Sequence, residues 1–109
     1  MVAKVQRGDL IWYRQNESDT QRGLFVLTDY RYHEITGVLM GCELSKLGES
    51  RVSEVKVGEW YIRAHCITTC HLSHLHIEDI QQLPDTTTLE TVLTRLLPLL
   101  GAEPYFQPK

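Results

Sequence analysis

The chain has 109 residues and a mass of 12.6 kDa, which is enough for one domain with a single core. Its composition is 42% hydrophobic, 23% charged and 8% aromatic, which excludes a disordered chain, a collagen and a coiled coil. The net charge of −3 provides none of the bulk basicity that marks many nucleic-acid-binding proteins.

The first half of the chain predicts short strands separated by polar segments. Residues 10–13 form an apolar and aromatic run that predicts a strand, and the polar residues 14–23 predict a loop. Residues 24–28 form a run that is apolar apart from Thr28, which is typical of a strand buried on both faces. Residues 29–37 contain turn residues and end in glycine, so we expect a turn there, before a third strand over residues 38–44.

The second half predicts two more strands and then a helix. A loop at 45–51 precedes strands over 52–57 and 60–71, and this spacing of short strands favours a small barrel or sandwich. The apolar residues then take the spacing of one helix face, which predicts an amphipathic helix over 87–100. Its apolar positions are Leu89, Val92, Leu93, Leu96, Leu97 and Leu100. We expect the domain to cover residues 1–101, with an irregular tail over 102–109.

Four residues mark the ends of the predicted helix. Thr87 and Glu90 have the spacing of a capping box at its start. Pro98 predicts a kink or an early end, because proline lacks the amide hydrogen that the helix needs. Gly101 is suited to the left-handed position after a helix.

Histidine and cysteine side chains crowd into one stretch of twelve residues. They are His65, Cys66, Cys70, His71, His74 and His76. Strand alternation predicts His65 and His71 on one face and the two cysteines on the other, as core residues. Zinc prefers Cys and His ligands, but no C-x₂-C pair is present, so we predict no metal and keep a zinc-stabilised domain as an alternative.

Two features predict where the protein resides. No apolar run reaches the roughly 20 residues of a membrane helix, so we expect a cytoplasmic protein with no membrane partner. The odd number of cysteines, three, agrees with free thiols in a reducing compartment.

Six of the seven arginines precede residue 64. Since a guanidinium donates two hydrogen bonds to a phosphate, an anion-binding surface is expected from residues 1–63.

The order of motifs resembles the MazF/PemK family of toxin endoribonucleases. Gly8, Asp9 and Trp12 match its opening G-D-hydrophobic-hydrophobic-W, and Arg22 matches the arginine of its R-P motif. The matches continue without a gap to the family's third motif, P-x-T-S or P-x-T-T. The further matching residues are Tyr32, Thr36, Gly37 and Ser45.

The resemblance implies a mainly β protein with a C-terminal helix, in the α+β class, built as an SH3-like small barrel of the CcdB/MazF type. It implies a homodimer with a cognate antitoxin, and metal-independent cleavage of single-stranded RNA without a cofactor. In this chemistry the ribose 2′-hydroxyl attacks the adjacent phosphate. The implied catalytic pair is Arg22 and Ser45.

Further residues are candidates for the same site. His65 lies where the family has an aspartate near the cleft, and a neutral imidazole is a common base for a 2′-hydroxyl. We also predict RNA contacts for Arg14, Lys46 and Trp12.

Two departures from the family pattern leave alternatives open. Gly23 replaces the proline after the arginine, and Glu43 replaces the proline of the third motif. Alternation along a strand places Glu43 and Ser45 on one face, where the carboxylate would repel a phosphate. The departures favour either a divergent or weakened nuclease or a non-enzymatic protein of the same fold. The latter would be an interaction module or a topoisomerase poison similar to CcdB.

Overall fold

The computed structural model describes residues 4–16, 19–48 and 53–99. Six strands and two α-helices follow one another in these ranges, with a short 3-10 helix, Leu72–His74, between the fifth and sixth strands. The strands are β1 Leu10–Arg14, β2 Arg22–Val26, β3 Val38–Ser45, β4 Glu54–Val57, β5 Trp60–His71 and β6 His76–Gln81. The helices are α1 Tyr30–Thr36 and α2 Thr87–Leu99.

The strands form one antiparallel sheet in the order β4-β5-β3-β2-β1-β6. In the described residues β4 and β6 stay at the two edges, so the sheet is open but compatible with a small barrel. The expected class, mainly β with a C-terminal helix, is confirmed. No helix in the described ranges is both long enough and apolar enough to span a bilayer.

Two apolar clusters lie on opposite faces of the sheet because neighbouring residues of a strand point to opposite sides. The first contains Val5, Ile11, Tyr13, Leu24, Val26, Leu39 and Cys70. The second contains Leu10, Phe25, Cys42, Ile62, Ala64 and Val92. Val92 belongs to α2, so α2 covers the second face, whereas residues of β6 and of the segment before it pack on the first.

The β2–β3 contact is unusually close at Gly41. A Cβ atom at this position would lie 2.7 Å from the carbonyl oxygen of Phe25 and 3.3 Å from the Cβ of Leu24. Real Cβ atoms do not approach a backbone oxygen this closely, so the two backbones can pair here only because residue 41 lacks a side chain.

Helix α1 replaces the turn that the sequence predicts at residues 29–37. Asp29 caps its start, since its Oδ1 accepts a 2.9 Å hydrogen bond from the amide of Tyr32. Gly37 ends it with a positive φ of 68°, and its amide donates to the carbonyl of His33. The buried His33 side chain lies 3.1 Å from the carbonyl of Val5, which ties α1 to the N-terminal segment.

Two other boundaries differ from the predictions. Strand β2 begins at Arg22, two residues inside the predicted loop, and β6 was not predicted as a strand. Helix α2 begins at Thr87 and continues one residue past Pro98, to Leu99.

The predicted capping box of Thr87 and Glu90 is wrong by one residue. The carboxylate of Glu90 accepts from the hydroxyl of Thr86 at 3.2 Å, and the amide of Glu90 donates to the carbonyl of Thr86 at 2.9 Å. The amide of Thr87 is bound instead by Asp85 Oδ1 at 3.0 Å. The predictions for Leu100, Gly101 and the tail 102–109 lie outside the described residues.

Candidate functional site

Arg22 and Ser45 lie on adjacent antiparallel strands. Arg22 is the first residue of β2 and Ser45 is the last residue of β3. The ladder pairs Leu24 with Glu43 and Val26 with Gly41, and the same register extended by two residues sets Arg22 opposite Ser45. Directly opposite residues share a face of the sheet. The ungapped spacing read from the sequence therefore corresponds to neighbouring positions in space.

Arg22 is exposed and lies at the end of the first apolar cluster. It lines a cavity of about 350 Å³ together with Gln15, Asp19 and Thr20. Its charge also reaches Cys70: burial raises the pKa of this thiol, while Arg22 acts to lower it. Arg22 thus borders the polar loop after β1, and its charge acts on the buried thiol of Cys70.

The hydroxyl of Ser45 takes part in a local turn. Its Oγ accepts from the amide of Leu47 at 3.1 Å and donates to the carbonyl of Leu47 at 3.2 Å. A serine hydroxyl has one hydrogen to donate. To donate to a bound phosphate, Ser45 would have to give up its bond to the Leu47 carbonyl.

The two residues that depart from the family pattern, Gly23 and Glu43, contact or act on identifiable neighbours. Gly23 leaves room for Leu44, because a Cβ at residue 23 would come within 2.8 Å of the end of that side chain. Glu43 is half-buried and acts to raise the pKa of the Cys70 thiol, which burial already raises and Arg22 acts to lower. Glu43 and Arg22 therefore act in opposite directions on the same buried thiol.

His65 is hydrogen-bonded through both ring nitrogens. Nδ1 lies 2.7 Å from Ser53 Oγ, and Nε2 lies 3.3 Å from Nη2 of Arg63. A guanidinium can only donate, so Nε2 must be the acceptor and Nδ1 must carry the hydrogen that is donated to Ser53. The lone pair that a general base would use is bound to Arg63.

The predicted RNA-contacting residues Trp12 and Lys46 lie on the other face of the sheet. Trp12 packs against the second apolar cluster, and its ring centroid is 6.0 Å from that of Trp60. The ammonium of Lys46 lies 5.1 Å from the centroid of Trp60, a cation–π contact. These two residues meet through Trp60 but are separated by the sheet from the face that carries Arg22 and Ser45.

Arg14 is hydrogen-bonded where β1 pairs with β6. Its Nε donates to Glu78 at 2.7 Å, and its Nη1 donates to the carbonyl of Asp19 at 2.7 Å. The bond from Arg14 is the main reason that the pKa of Glu78 is lowered, and Gln21 contributes a second bond to this carboxylate. Arg14 therefore fixes the loop that precedes Arg22.

The histidine and cysteine stretch does not converge on one point in the structure. Within residues 4–16, 19–48 and 53–99 no three His, Cys, Asp or Glu side chains have the arrangement of a metal site. Cys70 is buried in the first cluster and Cys42 in the second, whereas Cys66 is half-buried. Burial and the neighbouring Cys66 raise the pKa of Cys42 to about 12.

The prediction that Cys66 and Cys70 share one face depends on strict alternation along β5. Along β5 the pairing with β3 jumps from Ile67 to Arg63, opposite the neighbouring residues Cys42 and Glu43. The irregularity leaves extra residues on β5, including Cys66, and breaks the strict alternation on which the prediction rested.

The fold is that of a small antiparallel-sheet domain of the kind found in MazF toxins. A MazF from Deinococcus radiodurans aligns with a TM-score of 0.79 and 19% identity, over 91% of this chain and 98% of that chain. A MazE-MazF complex from the same organism gives 0.75 and 20%, over 91% and 97%. An endoribonuclease from a mycobacterial species gives 0.71 and 18%, over 92% and 94%.

No protein-family model and no curated protein matches the sequence. At these levels of identity the similarity to solved structures establishes the fold. The chain thus has the MazF fold, and the predicted resemblance is confirmed at that level.

Sequence reasoning missed Ser53 and Arg63, the two partners of His65. The signal for Arg63 was its position two residues before His65 on a predicted strand, which places both side chains on one face. Ser53 adjoins β4, and nothing in the sequence indicated how β4 pairs with β5.

Proposed function

We propose that the chain is a toxin-like, metal-independent endoribonuclease of the MazF type that cleaves single-stranded RNA, in a divergent or weakened form. The observation that carries this proposal is the position of Arg22 opposite Ser45 on adjacent strands of a MazF-fold sheet. Solved neighbours include an endoribonuclease in complex with its cognate antitoxin, which supports the same class of activity.

In the proposed reaction the 2′-oxygen forms a bond to phosphorus as the bond from phosphorus to the 5′-oxygen breaks. The proton of the 2′-hydroxyl is lost, the 5′-oxygen gains a proton, and the products carry a cyclic phosphate and a 5′-hydroxyl. Negative charge develops on the equatorial phosphate oxygens, where the Arg22 guanidinium would stabilise the transition state more than the ground state. The Ser45 hydroxyl would donate to the same oxygens once it leaves Leu47. His65 stays the predicted base, and would have to release Arg63 to accept the proton.

Cleavage of single-stranded RNA is expected to continue in excess EDTA. The proposed stabilisation uses a guanidinium and a hydroxyl, so no divalent ion is required. The measurement is gel analysis of RNAs of varied sequence, with end-group analysis for cyclic phosphate and 5′-hydroxyl ends. Loss of activity on addition of EDTA, or products with 5′-phosphates, would contradict the mechanism.

A homodimer is the expected assembly. In α2, Val92 and Leu96 are buried against the sheet, while Leu93 remains 38% exposed and Leu97 half-exposed. The helix thus carries more apolar surface than the sheet of one chain covers. Light scattering at micromolar concentration should give about twice the chain mass of 12.6 kDa, and a value equal to the chain mass would rule out the dimer.

We also propose a cognate antitoxin as partner, and the cytoplasm as the location. Three of the solved neighbours are MazE-MazF complexes, which supports a partner of this kind. Co-expression of this chain with the product of an adjacent small acidic reading frame, followed by purification of a complex, tests the partner.

A second candidate function is a non-enzymatic role for the same fold. Two observations favour it: the Ser45 hydroxyl is bonded to Leu47, and Glu43 lies on the face that carries Arg22. Absence of cleavage in the wild type, and also in the Glu43→Pro and Ser45→Thr variants, would support this function over the nuclease.

A further inference from the structure

A row of charged side chains crosses three neighbouring strands beside Arg22 and Ser45. Glu43 on β3 lies opposite Arg63 on β5, and Arg63 lies opposite Glu54 on β4. Directly opposite residues of an antiparallel ladder have Cβ atoms about 4.5–5.5 Å apart on one face of the sheet. Arg63 therefore has an acidic residue on the neighbouring strand at each side.

The charged row lies on the face that carries Arg22. Glu43 is opposite Leu24, which follows Arg22 by two residues on β2, so alternation places all three on one face. Arg22 and Glu43 have opposite effects on the pKa of the thiol of Cys70, which burial itself raises. If no positive charge offset it, the negative charge of the Glu43 carboxylate would weaken the attraction of Arg22 for an anion.

The orientation of Arg63 is fixed by a short chain of hydrogen bonds. Its Nη2 donates to His65 Nε2 at 3.3 Å, and His65 Nδ1 donates to Ser53 Oγ at 2.7 Å. Ser53 lies just before β4, and the amide of Ala64 donates to its carbonyl at 3.1 Å. Arg63 thus lies on β5 between the two acidic positions, with its guanidinium bound to His65.

We propose that Arg63 neutralises Glu43 and thereby keeps the positive charge of Arg22 available to a phosphodiester backbone. Arg63 acts through Glu43, so it is a positioning residue and not a catalytic one. The inference rests on the proposed function, since it concerns the anion that Arg22 would bind. It also explains how this chain tolerates an acidic residue where the family pattern has proline.

The test is binding of a fluorescently labelled, single-stranded oligodeoxynucleotide, measured by anisotropy at low salt. This probe lacks the 2′-hydroxyl and is not cleaved by the proposed mechanism. Arg63→Gln is expected to weaken binding by about tenfold, because it exposes the Glu43 charge to the backbone. Adding Glu43→Gln to that variant should restore affinity to within about threefold of wild type, whereas Glu43→Gln alone should change it by less than about threefold.

Arg31→Gln is the matched control, because Arg31 is an exposed arginine on α1, away from the charged row. It should bind within about twofold of wild type. Arg63→Lys keeps the positive charge, so its affinity for the oligodeoxynucleotide should be within about threefold of wild type. This variant can be measured if Arg63→Gln does not fold. Circular dichroism establishes that each variant is folded.

Three results would overturn the proposal: no binding by the wild type, unchanged affinity in Arg63→Gln, or a loss in Arg63→Gln that Glu43→Gln does not repair. A folded Arg63→Lys protein that binds about tenfold more weakly than wild type would overturn it as well. If binding shows the expected coupling but RNA is never cleaved, the proposed nuclease function fails and the role of Arg63 stands. If RNA is cleaved without the coupling, only the role of Arg63 fails.

Discussion

Replacing Arg22 with alanine is expected to lower the rate of single-stranded RNA cleavage by about 100- to 1000-fold. Arg22 is the predicted cation at the scissile phosphate, at the first residue of β2 and opposite Ser45. Loss of one preoriented donor of this kind costs about 3–4 kcal/mol of transition-state stabilisation. The measurement is the single-turnover cleavage rate at saturating protein.

The Arg31→Ala protein controls for the general loss of one positive charge and should cleave at the wild-type rate. Ser45→Ala should cost less than Arg22→Ala, because the hydroxyl supplies one neutral hydrogen bond and already bonds to Leu47. Full activity in Arg22→Ala would remove Arg22 from the site and leave the fold unaffected.

Phe25→Ala is expected to lower the free energy of unfolding by about 3–5 kcal/mol. The Phe25 side chain is fully buried in the second apolar cluster, between the sheet and α2. Truncation removes a large apolar group and leaves a cavity that Ile62 and Val92, both fully buried, cannot fill without moving. Urea or thermal denaturation followed by circular dichroism gives the difference.

Ile35→Ala is the comparison variant, because Ile35 on α1 is 84% exposed. Its free energy of unfolding should differ from wild type by less than about 0.5 kcal/mol. Equal losses in Phe25→Ala and Ile35→Ala would mean that the second cluster is not the packed core described here.

The central strands were predictable because their apolar residues are continuous or alternate in a regular way. β2 and β3 carry Leu24, Phe25, Val26 and Leu39, all fully buried, and their apolar runs overlap the strands within about two residues at each end. β6 escaped prediction because its pairing with β1 shifts register opposite Trp12 and Tyr13. The shift separates its apolar residues, Ile77 and Ile80, by three positions, which hides the period of two.

Helix α1 was missed for a different reason. It spans seven residues, and its apolar side chains Tyr32 and Ile35 are exposed, so no buried stripe marks it. The sequence signals for this helix lay at its ends. They are Asp29, whose side chain caps the start, and Gly37, a glycine that adopts the positive φ needed at the end. Capping residues, rather than periodicity, define a helix this short.

The candidate site was predictable where it depends on one pair of consecutive strands and not where it depends on several strands. Arg22 and Ser45 lie on consecutive strands, so their spacing along the chain carried the information. The contacts among Ser53, Arg63 and His65 depend on the pairing of β4 with β5 and on the irregular register of β5. Residue types alone do not specify such a register.

The close approach at Gly41 has a consequence for how this protein can evolve. Every other amino acid at this position would bring a Cβ to 2.7 Å from the Phe25 carbonyl and wedge β2 away from β3. The same two strands carry Arg22 and Ser45. A substitution of Gly41 would therefore move Arg22 and Ser45 apart, although Gly41 itself has no polar side chain. Mutational freedom is thus low at a residue that takes no part in the chemistry, and the polar positions keep their spacing only while this glycine remains.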